Sequence, residues 1–123
     1  MEWRIRADLP IYAQLIFQIK LAIVSGEYLP GERLASVREL AMDAGVNPNT
    51  MQRALQELES RGLLQAQRTA GRIVTAENSE LTSLRQKRAR QLVQDCLTQL
   101  RGLGMNEEEI ETLLKEVQHA DDV

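Results

Sequence analysis

A mainly α fold carrying one small β hairpin is predicted for this 123-residue chain by three observations. Two short amphipathic patterns meet at a glycine-containing turn around Gly45. Two short extended candidates, "LLQAQ" and "RIVTA", follow at once around "RTAG". A composition shift after Ala76 then leads into apolar residues spaced for a helix partner. Helix–turn–helix followed directly by a hairpin is the order of a winged helix, so the expectation is a winged helix-turn-helix with a C-terminal two-helix dimerisation tail. The boundary is placed between 1–77 and 78–123.

Asp8 is the expected cap of the first helix, with Pro10 in its opening turn. Ile11, Leu15, Ile16, Ile19, Ala22 and Ile23 give that helix a broad apolar face, and Gly26 ends it. "YLPGERL" breaks the helix and leads into a short extended piece, because Pro-Gly favours turns. The second helix opens at Ser36, where Ser36 and Glu39 match the S-x-x-E capping box. Val37, Leu40, Ala41 and Ala44 repeat at i, i+3, i+4, i+7 up to Gly45.

The third helix starts in "GVNPNTMQRAL". Asn47 suits an N-cap, and Pro48 suits the first helical position, where its missing N–H costs nothing. Met51, Ala54, Leu55 and Leu58 form its apolar stripe, which turns Asn49, Gln52, Arg53 and Gln56 outward. Its acids, Glu57 and Glu59, fall only in the second half. Gln and Asn can pair bidentately with adenine, and Arg with guanine, so this neutral-to-cationic face suits a DNA major groove. Arg38 near the start of the second helix can reach a phosphate or a guanine, and Arg68 and Arg72 flank the hairpin tip, with Gly71 available for positive φ. The same row would also serve as a solvated face or a protein-binding surface, and residues alone leave these readings open.

The tail starts with a long helix over 79–103. Ala89, Val93, Cys96, Leu100 and Leu103 are spaced 4, 3, 4, 3, and Leu92 and Leu97 widen the seam. Asn106 with Glu109 opens a last helix, whose face is Ile110, Leu113, Leu114 and Val117. Two helices enclose no core by themselves, so a second copy of the chain is the simplest partner. Cys96 is expected as a small buried hydrophobe on this seam.

Charge and composition exclude other classes. Residues 1–77 carry nine Lys/Arg against nine Asp/Glu, and 78–123 carry six against nine. Any nucleic-acid surface must therefore be a local arrangement rather than a basic tail. One Cys and one His, far apart, form neither a metal cluster nor an intrachain disulfide, so no metal and no cofactor are expected. No acid–base or nucleophile constellation can be assembled, which argues against an enzyme. No apolar run approaches the roughly 18 residues of a membrane span. The N-terminus lacks a signal-peptide core, and a cytoplasmic location follows by default.

The motifs "P-I-Y-x-Q", "G-x-x-x-P-G-E-R-L", "S-V-R-E-L-A", "G-V-N-P-N-T" and "L-Q-E-L-E-x-x-G-L" resemble the winged-helix domain of GntR-family bacterial transcription regulators, and specifically the YtrA-type subgroup. The resemblance covers residues 9–76, and the short tail is also similar to that subgroup's. It implies a homodimer binding double-stranded, palindromic operator DNA, usually as a repressor. The family's DNA-contacting positions match Arg38, Asn47, Asn49, Thr50, Gln52 and Arg53, with the wing at Arg68, Thr69, Gly71 and Arg72. The wing departs from the family pattern: Thr69-Ala70-Gly71 stands where two glycines usually surround a basic residue. Its role is therefore ranked below that of the helix. The stretch after residue 77 is too short for the larger effector domains of other relatives, and the sequence identifies no effector.

Overall fold

The computed structural model describes residues 1–68, 71–75 and 77–120. Five helices and one hairpin follow in the order α1 (Ile11–Val24), α2 (Val37–Ala44), α3 (Pro48–Ser60), β1 (Leu64–Gln67), β2 (Gly71–Val74), α4 (Asn78–Gly102) and α5 (Glu107–Ala120). By contacts the chain forms two units, Met1–Arg85 and Gln86–Val123.

In the first unit, the apolar stripes read from sequence converge on one core. Leu15, Ile19 and Ile23 of α1, Leu40 and Ala41 of α2, and Met51, Ala54, Leu55 and Leu58 of α3 are buried together. Removing this much apolar surface from water is the main force holding the three helices in place. Leu63, Leu64 and Val74 close the core from the hairpin side. The unit runs past the expected boundary at 77, because Leu81 is buried in the same core and Leu84 packs against it.

The helix ends follow local chemistry, with one correction. Pro10, not Asp8, occupies the N-cap of α1, and no side chain caps that end. Asp8 is instead drawn to Arg6, with an N–O distance of 2.7 Å. For α2, the Ser36 hydroxyl accepts from the Glu39 N–H at 3.1 Å. The other half of the box differs from expectation, since the hydroxyl itself donates to the Glu39 carboxylate. Gly45 stops α2 at φ 70°, a left-handed conformation that costs glycine little.

The hairpin pairs β1 and β2 antiparallel, from Leu64 opposite Val74 to Gln67 opposite Gly71. Gly71 takes φ 74°, as its place at the tip demands. The extended piece after Pro30 joins the sheet: Arg33 bridges Ile73, Leu34 N–H donates to the Arg72 carbonyl, and Val74 N–H donates to the Glu32 carbonyl. Thr69 and Ala70, part of the expected wing, lie outside the described residues.

A further strap had no place in the sequence-based expectation. The N-terminal segment lies extended along α1, held by two glutamines one helical turn apart. Gln18 accepts from the Arg4 N–H at 3.0 Å and donates to the Arg4 carbonyl at 2.9 Å. Gln14 does the same for Arg6, at 2.8 Å in both directions. Each side-chain amide replaces a neighbouring strand for alternate backbone units, while Trp3 and Ile5 turn inward onto the core.

In the second unit, α4 continues into α5 through a short turn at 103–106. A reciprocal capping box opens α5: Glu109 N–H donates to Asn106 Oδ1 at 2.9 Å, and Asn106 N–H donates to the Glu109 carboxylate at 3.1 Å. Ile110 is buried, and Leu97, Leu100 and Leu113 are half-buried. Ala89, Leu92, Val93, Cys96, Leu103, Leu114 and Val117 remain exposed. The expectation that Cys96 is buried is therefore corrected for the single chain, where it is exposed together with Leu92 and Val93 of the same seam.

Candidate nucleic-acid interface

The geometry of α3 follows from its two ends and its stripe. Asn47 caps the helix with Oδ1 accepting from the Asn49 N–H at 2.8 Å, and Pro48 fills the first turn. Met51, Ala54 and Leu58 are 0% exposed and Leu55 is 1% exposed, so the helix cannot rotate without uncovering its core face. The opposite side is fixed by that burial. Asn49, Arg53 and Gln56 are exposed, and Gln52 is half-exposed.

Free backbone N–H groups at a helix start can hold a phosphate, but those in the first turn of α3 are already engaged. The Asn49 N–H is taken by the cap, the Thr50 N–H donates to the Asn47 carbonyl at 3.0 Å, and Pro48 has no N–H. Thr50 keeps a hydroxyl, and Asn47 keeps its side-chain NH₂, as possible donors.

The surface charge is more favourable to an anion than the net charge of −3 suggests. Glu57 is paired with Arg61 at 3.0 Å, one turn along the helix. Glu59 is paired with Arg72 of β2, and both side chains are largely covered. Both acids of α3 are thus matched by cations. Arg38, Arg53 and Arg68 form no ion pair among the described residues. The acids of α3 are thus offset by cations while these three arginines stay unpaired among the described residues, a distribution that composition alone does not reveal.

Two positions behave differently from expectation. Arg72 does not project freely beside the hairpin tip; its guanidinium joins β2 to the last turn of α3 through Glu59. Arg53 lies over the Tyr12 ring of α1, with its guanidinium carbon 4.9 Å from the ring centroid. Tyr12 and Glu59 were not foreseen as part of this surface. The motif "P-I-Y-x-Q" carried Tyr12, but pairing it with Arg53 needs the packing of α1 on α3.

This arrangement defines a winged helix-turn-helix DNA-binding transcription regulator. Residues 11–74 match the model of the bacterial regulatory proteins of the gntR family, and the chain belongs to that family. It is 34% identical over 110 residues to the uncharacterized HTH-type transcriptional regulator YhcF of Bacillus subtilis, covering 89% of this chain and 91% of the relative. It is 38% identical over 95 residues to the HTH-type transcriptional repressor YtrA of the same organism, covering 77% and 71%. Among solved structures, a GntR family transcriptional regulator from Listeria monocytogenes matches with a TM-score of 0.80 and 36% identity, covering 91% of this chain and 98% of that one. The family is one of transcription regulators rather than enzymes. No described helix is long and apolar enough to cross a membrane.

Proposed function

We propose that the chain is a cytoplasmic repressor that binds a palindromic operator as a homodimer, with each α3 entering a major groove. The observation that carries this reading is the division of α3: four apolar side chains buried on one side, and Asn49, Arg53 and Gln56 exposed on the other with both neighbouring acids paired. A recognition helix presents its N-terminal half to base edges, and that half of α3 carries no acid. The repressing role is supported by the similarity to YtrA.

Within this reading, Asn49 and Gln52 read bases, and Arg38 and Arg53 contact phosphate or guanine. Asn47 and Thr50 supplement them through their side chains. Arg68, Thr69 and Gly71 form the wing's contribution, which runs along the backbone. Arg72 serves the interface by holding the hairpin to α3. Residues 1–77 form the DNA-binding part and residues 78–123 the dimerising tail. The exposed apolar row of α4 and α5 supports the second copy: Leu92 is 52%, Val93 58%, Leu103 78% and Val117 55% exposed. Apolar side chains repeating along a helix are costly in water and are covered on association.

The test is selection of bound sequences from a random DNA pool with the full chain. The expected outcome is an inverted repeat with half-sites about one helical turn or a multiple apart. Recovery of no preferred sequence, with binding to protein partners instead, would support an interaction module and remove the operator reading.

A further inference from the structure

We infer that Tyr12 of α1 is a positioning residue for DNA recognition, acting through Arg53 of α3; this rests on the reading of α3 as the recognition helix. Arg53 is an exposed side chain on the outer face of α3, and it has no acidic partner among the described residues. An arginine so placed would normally sample many rotamers, and freezing it on binding would cost entropy. Here its guanidinium lies 4.9 Å from the centre of the Tyr12 ring. Tyr12 is itself half-buried against the core, so it offers a fixed platform rather than a second mobile side chain.

The geometry suits recognition. A guanidinium uses its flat face to stack on an aromatic ring, while its N–H donors project in the plane. Contact with the ring therefore restricts where Arg53 points while leaving its N–H donors for a guanine edge or a phosphate. The first helix, ordinarily regarded as support, then sets the direction of a contact made by the third. A lysine at position 53 would lack the flat, in-plane donor set and would not substitute.

The experiment uses the full chain and the DNA sequence it selects. Affinity is measured for wild type, Tyr12→Phe, Tyr12→Leu, Arg53→Gln and the Tyr12→Leu/Arg53→Gln double variant. Tyr12→Leu is expected to weaken binding about two- to fivefold. Tyr12→Phe keeps the ring and is expected to bind as wild type. In the Arg53→Gln background, Tyr12→Leu is expected to add no further loss. In the free protein, the Arg53 Nε–H resonance should show a ring-current shift in wild type and Tyr12→Phe that disappears in Tyr12→Leu. Should the leucine variant lose its fold by circular dichroism, Tyr12→Met replaces it in every arm.

Additive losses, or an Arg53 resonance indifferent to the ring, would overturn the positioning role alone. Failure of the wild-type chain to select any DNA sequence would overturn the recognition-helix reading, and the positioning role with it.

Discussion

At the scale of single residues, the interface depends on side chains whose partners differ in kind. Gln52 is half-exposed and has an amide able to donate and accept in one plane, which is the requirement for bidentate adenine readout. Gln52→Ala is expected to lose about 1–3 kcal/mol of discrimination at one base position per half-site, read from repeated sequence selection with the variant. An unchanged preference would remove Gln52 from base readout. Arg38→Ala should weaken binding; a phosphate contact predicts an even loss across sequences and a salt dependence shallower by about one unit of slope, whereas a guanine contact predicts a loss of preference at one position. Tyr28 provides a test unrelated to DNA. Burial raises its phenol above the usual 10.0, and the nearby carboxylates of Glu27, Glu32 and Asp43 push it further up. The folded state therefore holds this proton more tightly than the unfolded state does. The resulting stability is complete below about pH 10 and is lost as pH rises through the folded value. Urea midpoints measured across that range should fall for wild type, and the part due to this residue should vanish in Tyr28→Phe.

At the scale of elements, the caps and stripes decide where helices begin and which side they bury. Asn47 is the clearest case, because its Oδ1 satisfies an N–H that would otherwise be unpaired at the start of α3. Asn47→Ala is expected to destabilise the fold by about 1 kcal/mol, measured by urea unfolding. The amphipathic stripes of α1, α2 and α3 were legible because each repeats with the helical period. The hairpin was legible from two short extended runs about a glycine. Other local features could not be read from the chain. Asp8 has the right chemistry for a cap, yet Arg6 lies close enough to claim it. Nor does the chain announce that the Asn47 side chain and carbonyl occupy the first-turn N–H groups of α3 and so withhold them from a phosphate. Gln14 and Gln18 have the spacing of one helix face, but nothing local says that an extended strap will lie there.

At the scale of the whole chain, the proposed dimer is the property to test. The exposed Leu92 and Val93 fall on the expected seam of α4. Replacing both with Glu would place charges where a partner helix must pack, and burying an unpaired charge is prohibitive. Sedimentation at micromolar concentration should show a dimer for the wild-type chain and a monomer for Leu92→Glu/Val93→Glu. A monomeric wild type would overturn the dimer. Operator binding by the variant should fall as well, because two linked half-site contacts are replaced by one.

The sequence by itself determined the order of elements, the core-facing side of each helix in the first unit, and the polar inventory of α3. These depend on periodicity and on caps only a few residues long, so neighbours along the chain suffice to specify them. Only the tertiary structure decided which charges stay available and how they point. Glu59 is matched by Arg72 thirteen residues away, and Arg53 is laid on Tyr12 by the packing of α1 against α3. Electrostatic and stacking contacts of that kind depend on distance in space, which a linear pattern does not encode.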